Sequence, residues 1–191
     1  MKPEFYARPV LDVARDLIGC VVSHEGCAGM IVETEAYHVS EAACHAYVGL
    51  TARTSTLFGP PGRAYVYHSY GIHALLNAVA EPEGIGAAAL IRALEPVEGV
   101  EAMRARRGME PLRSLCSGPG KLTQALVIGL GLNASDRRRG PVVISPRPAD
   151  WPAPAISTDR RIGITRAVDL PWRFCATGSR FLSRSLSAYA G

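Results

Sequence analysis

The stretch of this chain best equipped for chemistry is Met30-Ile31-Val32-Glu33-Thr34-Glu35-Ala36-Tyr37. Three apolar residues lead into two carboxylates and a tyrosine at every second position. On an extended strand, residues two apart point to the same face, roughly 6–7 Å apart along the chain. Glu33, Glu35 and Tyr37 therefore share one side. Two acids and an aromatic ring suit a pocket wall, with a carboxylate for acid–base work and a flat ring to stack on. An edge strand with a solvated face would have the same pattern, and the stretch by itself leaves both readings open.

The elements around it are legible in outline. Leu11, Ala14, Leu17 and Ile18 recur at helical spacing, and Gly19 can close that helix. Cys20 to Ser23 reads as a strand and Glu25-Gly26 as a turn. Met30 to Tyr37 then returns as the second arm, spaced too far for a minimal two-residue loop. Residues 38–63 lack periodicity. They hold His38, Glu41, His45, Arg53 and the corner Gly59-Pro60-Pro61-Gly62, and long irregular segments inside compact domains are often functional.

Ala64 to Ser69 alternates, with Tyr65 and Tyr67 on one face. Ile72 to Val79 reads as the returning strand, so Tyr70 stands at a hairpin tip. An exposed aromatic there can serve as a wedge or pack as a satellite contact. Ala87 to Leu94 is an apolar strand broken by Arg92, which must find a partner or reach a cleft. Glu95-Pro96 ends it, and Val97 to Arg107 reads as a helix. Ser117-Gly118-Pro119-Gly120-Lys121 is a turn feeding a helix from Leu122 to Ile128. Such a turn can offer N–H groups to an anion with Lys121 beside it, but the GxxxxGK[ST] spacing of a nucleotide loop is missing. Arg137-Arg138-Arg139 reads as a charged turn. Val142 to Ser145 and Arg161 to Thr165 read as short strands.

The bulk numbers narrow the class. At 191 residues with 48% hydrophobic and 20% charged, the chain suits one globular domain over 1–191. No apolar run reaches the roughly 18 residues of a membrane span, and the N-terminus does not read as a signal peptide, so a cytoplasmic protein without a membrane is expected. The five cysteines are odd in number and lack CxxC spacing, which suits reduced, mostly buried thiols rather than a zinc site. The net charge is +4, and all basic residues but Lys2 and Lys121 are arginine. Arginine's planar fork suits phosphate, although a GC-rich genome would give the same bias.

Taken in order, the chain carries IVETEAY, His45, FGPPGRAYVYHSYG, Asn77, LIRALEP, CSGPGKL, RIGIT and PWRF. This series resembles the alkyladenine (3-methyladenine) DNA glycosylase family over nearly the whole length, from about residue 7 to about residue 182. The resemblance implies an α+β domain with a curved antiparallel sheet, a protruding β-hairpin and flanking helices. It implies a monomer that excises damaged purines from double-stranded DNA in the nucleoid, without metal or organic cofactor. Position by position, Glu35 matches the catalytic acid of ETEAY. Tyr37 matches the ring that stacks on a flipped base. His45 and Tyr67 match the groups on its other face, and Asn77 matches a pocket asparagine that discriminates purines. Tyr70 matches the residue that fills the vacated stack, and Arg92 an arginine near the target phosphate and the reaction centre. Lys121 stands in the CSGPGKL match as a DNA-backbone contact.

The physics of base excision agrees with these residue types. A base in a duplex must be extruded to be reached, a wedge offsets the lost stacking, and aromatic faces hold the base at about 1–3 kcal/mol each. A carboxylate can stabilise oxocarbenium charge and activate water. No lysine in the motifs is placed as a Schiff-base nucleophile, so hydrolysis without a lyase step is expected. Glu33 reads as support for Glu35, and His38, His68 and His73 as hydrogen-bonded scaffold. The chain departs from the family's usual residues at His38-Val39-Ser40-Glu41, at Cys44 and at Leu57, which bears on the range of lesions. A non-catalytic binder of distorted DNA and a free-nucleoside hydrolase are the competing classes. A catalytic carboxylate beside a stacking ring speaks against the first, and a wedge speaks against the second.

Overall fold

The computed structural model describes residues 1–69, 71–136 and 140–187. Tyr70 and the Arg137-Arg138-Arg139 run lie outside the described residues. Two short helices, α1 (Pro3–Tyr6) and α2 (Val10–Asp16), precede the hairpin β1 (Val21–His24) and β2 (Cys27–His38). A second hairpin follows, β3 (Ala64–Ser69) and β4 (His73–Val79), and then the long strand β5 (Ala87–Glu98). Helices α3 (Val100–Arg107), α4 (Leu112–Leu115) and α5 (Pro119–Ala125) come next. Three short strands complete the fold: β6 (Val143–Ser145), β7 (Ile156–Asp159) and β8 (Arg173–Ala176).

All strand pairs are antiparallel and belong to one curved sheet, in the order β3-β4-β5-β2-β1-β6, with β8 joining β2 and β7 joining β8. This is the expected α+β architecture. β2 is its spine: one edge pairs with β5, and the other pairs first with β1 and then, at Glu33–Glu35, with β8. The strand is bulged against β5 around Val32 and Glu33, and bulges bend and twist a strand.

Alternation along these strands sorts residues between two faces. Ala64, Val66, Leu76, Ala78, Ala89, Ile91, Val32 and Ala36 enter the main core with the helices. Thr34 fixes α2 from that side, its hydroxyl donating to Ala14 O at 2.7 Å. The opposite face carries Tyr65, Val79 and Ala88 in a smaller cluster with Cys44, Ala46 and Leu57 from the irregular segment 38–63. Within that segment, His45–Val48 and Ser55–Phe58 form single 3-10 turns.

Several boundaries differ from the sequence reading, each for a local reason. β2 starts at Cys27, so His24 pairs with Cys27 and the loop is the minimal Glu25-Gly26. Both loop residues have positive φ, 49° and 71°, as a type I′ turn needs. β5 runs through Pro96 to Glu98, because the proline sits opposite Gly29 at a register shift where no ladder N–H is required. Segment 161–165 is not a strand. Its Ile162 N–H bonds the Glu35 carboxylate instead of a neighbouring backbone.

Beneath the cleft face, five charged side chains form a buried chain. Arg173 bridges Asp159 and Glu33 at 3.0 and 2.7 Å, and Arg92 bridges Glu33 and Glu35 at 3.1 and 3.3 Å. Glu33 also takes the Ser183 N–H and hydroxyl at 2.6 and 2.8 Å, so it staples the C-terminal segment to the sheet. Burial pushes the Asp159 carboxyl up, but bonds from Ser187, the Arg160 N–H and the nearby Arg173 outweigh it and hold the carboxyl below the ordinary range.

Two substitutions test this framework. Glu33→Gln removes the carboxylate shared by two buried guanidiniums. Breaking a buried pair from one side costs about 3–5 kcal/mol, and urea unfolding should show that loss at unchanged m value. At Gly86, an added Cβ would lie 2.5 Å from Ala46 Cβ and 2.8 Å from Phe58 Cζ. Gly86→Ala should therefore lower stability by about 1–3 kcal/mol and displace the turn that carries His45. A wild-type urea midpoint in either variant would contradict this packing.

Candidate active site

The exposed side of the sheet opens into a cleft of about 780 Å³. Tyr37, at the end of β2, forms one wall. His45 and Tyr67 stand in the lining with Tyr65 beside them, and Asn77, Leu90 and Arg92 supply further lining from β4 and β5. The register explains this convergence. Tyr65 pairs with Asn77, and Asn77 pairs with Leu90 across the neighbouring ladder, so three adjacent strands present their side chains at one level.

The sequence placed Glu33, Glu35 and Tyr37 on one face, and they share it. Arg92 reaches both glutamates, and the Tyr37 hydroxyl donates to Glu35 Oε2 at 2.9 Å. The two acids are not equivalent. Glu33 is consumed by two arginines and Ser183, as support. Glu35 has a single guanidinium, at 3.3 Å from Oε2, together with the Ile162 N–H at 2.7 Å from Oε1. Glu35 has no exposed surface, and Tyr37, Arg92 and Ile162, which hold it, all line the cleft.

Burial pushes the Glu35 carboxyl above the usual glutamate range, although Arg92, the Ile162 N–H and the Tyr37 hydroxyl all pull the other way. The Tyr37 phenol is pushed far up by burial and by the adjacent Glu35 carboxylate. It stays protonated and acts as a donor.

The other aromatic group is tightly built. His45 and Tyr67 meet edge to face at 4.6 Å between centroids, and Tyr65 stacks on Tyr67 at 5.3 Å. His45 Nδ1 lies 3.0 Å from the Tyr65 hydroxyl. Burial, with Arg53 nearby, lowers the His45 pKa and favours the neutral ring at neutral pH. Burial raises Tyr67 to about 12. Asn77 is buried, with Nδ2 donating to Tyr65 O at 3.0 Å.

Five cations line the cleft: Arg53, Arg92, Arg107, Lys121 and Arg166; among the described residues no Asp or Glu does. The modest net charge of the chain is thus locally concentrated. Lys121 is exposed on α5, which begins at Pro119 and not at Leu122 as the sequence suggested. Gly120 packs against His73, where a Cβ would meet the ring at 2.9 Å, and this holds α5 beside the β3–β4 hairpin. His68 and His73 are exposed along the cleft, whereas His38 bonds the Ser40 hydroxyl at 2.7 Å as scaffold. Tyr70, which follows Ser69 in the sequence, is outside the described residues.

Two contributors to the site had no role in the sequence reading. Tyr65 could have been found from its alternation with Tyr67. The Ile162 N–H carries no sequence signal, since it is a backbone group delivered by an irregular loop.

The rings of this cleft suit a planar group and its guanidiniums an anion, with the Glu35 carboxylate buried just behind the lining. Comparison with known proteins agrees in kind. Residues 4–180 match the family model described as methylpurine-DNA glycosylase. A protein of Bradyrhizobium diazoefficiens is 52% identical over 96% of this chain and 90% of its own length. One from Rhodopseudomonas palustris is 54% identical over 96% and 90%. One from Methanoculleus marisnigri is 49% identical over 94% and 96%. All three carry the name "Putative 3-methyladenine DNA glycosylase". A cleft lined by aromatic rings and arginines, with a buried glutamate behind its lining, accompanies that match over nearly the full length, and the chain belongs to the methylpurine-DNA glycosylase family.

Proposed function

We infer that this protein flips alkylated or deaminated purines, of the 3-methyladenine, hypoxanthine and ethenoadenine class, out of duplex DNA and hydrolyses their N-glycosidic bond. The observation that carries this reading is Glu35. It is the one carboxylate of the buried network adjoining the cleft, and its neighbour Tyr37 is the ring on which a flipped base would lie. Stacking between Tyr37 and the His45–Tyr67 pair offsets part of the extrusion cost. Asn77, with its buried amide, would read the exocyclic groups of the base. Arg53, Lys121 and Arg166 would meet backbone phosphates. The cleft extends past the aromatic walls to Lys121, which favours a polyanion over a free nucleoside.

As the bond breaks, the sugar gains oxocarbenium character. Glu35 stabilises that charge and takes a proton from the attacking water. Both its oxygens are engaged in the free protein, and hydrogen bonds at catalytic groups commonly rearrange once substrate is bound. The Glu35 partners Tyr37, Arg92 and Ile162 all line the cleft, so water would enter among them. Arg92 holds Glu35 in place and lies next to the reacting sugar. Tyr70, between β3 and β4 in the sequence, would fill the gap in the stack. The step yields free base and an abasic site, with no lyase cleavage and no cofactor.

The test is single-turnover base release from duplex oligonucleotides bearing 3-methyladenine, hypoxanthine or 1,N6-ethenoadenine. Wild type should release at least one of these bases and leave sites cleaved only after alkali. Glu35→Gln should lose release by at least about 100-fold while still binding the same duplex. Equal release by both proteins would remove Glu35 from the mechanism. Strand nicking without alkali would instead point to Lys121 as a nucleophile.

A further inference from the structure

Behind Tyr37, on the side away from the cleft, lies an ion pair that the chemistry above does not use. The Arg161 side chain has no exposed surface and does not line the cleft. Its guanidinium carbon sits 4.7 Å from the Tyr37 ring centroid and 5.3 Å from that of Trp172. The fork closes on Glu41, Nη1 to Oε1 at 2.7 Å and Nη2 to Oε2 at 2.9 Å. Arg161 also donates to Ala36 O at 3.0 Å and to Ala167 O at 3.2 Å, and Glu41 Oε2 accepts the Ala43 N–H at 2.8 Å. The pair thus ties together the end of β2, the segment leading to His45, and the loop whose residues 162–166 line the cleft.

A ring with a guanidinium on one face is a poorer platform for a cation on the other. The positive charge draws on the same π face density that attracts cations, and it repels a positive base directly. With stacking at about 3.5 Å, a base on the cleft face of Tyr37 lies about 8 Å from the guanidinium. Glu41, in bidentate contact, cancels that charge at close range. We propose that Glu41 and Arg161 are positioning residues that set the lesion preference of the site: Arg161 braces the Tyr37 ring from behind, and Glu41 keeps that brace electrically neutral so that cationic purines are accepted alongside neutral ones. This rests on the glycosylase reading above.

Removing the carboxylate alone exposes the charge. At an effective dielectric of about 20–40, a unit charge at about 8 Å lowers the preference for a cationic over a neutral base by roughly 5- to 30-fold. The experiment compares single-turnover release of 7-methylguanine, cationic in its nucleotide, with release of neutral hypoxanthine from otherwise identical duplexes. Glu41→Gln should lower the ratio of the two rates by that factor. Glu41→Gln combined with Arg161→Gln, which removes both charges, should restore the wild-type ratio even where both rates fall. Arg161→Lys, which keeps the charge pair and loses the fork, should lower both rates at an unchanged ratio, and it serves where Glu41→Gln does not fold. An unchanged ratio in Glu41→Gln, a ratio that stays low in the double variant, or a shifted ratio in Arg161→Lys overturns the proposal. A wild type that releases neither base overturns the glycosylase reading itself, and with it this inference.

Discussion

Three carboxylates and two guanidiniums are buried in one chain beneath the cleft: Asp159, Arg173, Glu33, Arg92 and Glu35. Isolated buried charges are too unfavourable to persist, so such groups must be paired. Here the pairing cannot close, because the carboxylates outnumber the arginines. Asp159 and Glu33 are satisfied by arginine and by serine donors. The surplus falls on Glu35, at the end of the chain nearest the cleft. The same network that staples the C-terminal segment to the sheet therefore leaves one carboxylate under-compensated beside a pocket. That is the physical basis of the role proposed for Glu35. Desolvation raises its proton affinity, and pre-organised donors hold it still.

Around this carboxylate the two sides of the cleft are held differently. Tyr37 hangs from the central strand and is braced from behind by a buried ion pair. The His45–Tyr65–Tyr67 group spans a hairpin and an irregular segment, held by ring contacts and by the close approach of Gly86 to Ala46. Charge holds the one side and packing the other, and side chains held in place before binding reduce its ordering cost.

Much of this was legible in the residues. Period-two alternation put Glu33, Glu35 and Tyr37 on one face and Tyr65 with Tyr67 on another, because in each case the opposite face enters the core. Arg92 in an apolar strand had to find acids or a cleft, and it found both. Other features depended on contacts distant in sequence. Cys27 to Met30 lacks alternation because Gly29 lies against Leu94, where a Cβ would sit 2.8 Å from the leucine Cβ, so alternation marks the start of β2 at Met30 although the strand begins at Cys27. Arg161 to Thr165 has the composition of a strand. It is an irregular loop because Arg161 turns inward to Glu41, a residue 120 positions away, and Ile162 gives its N–H to Glu35. No local pattern encodes either partner. The family resemblance supplied the substrate class and singled out Glu35, and the geometry adds the difference in bonding partners between the two glutamates.

The pH dependence of single-turnover base release from a hypoxanthine duplex addresses the role of Glu35 most directly. A water-activating base works only when ionised, so the rate must fall as pH drops through the pKa of the folded state. Burial places that pKa above the ordinary glutamate value of 4.5. The acid limb should therefore have its midpoint above 4.5, and Arg92→Gln should move it higher still by removing the guanidinium that opposes the shift. A limb at or below 4.5, or one that Arg92→Gln moves downward, would contradict the assignment of Glu35 as the desolvated base of this site.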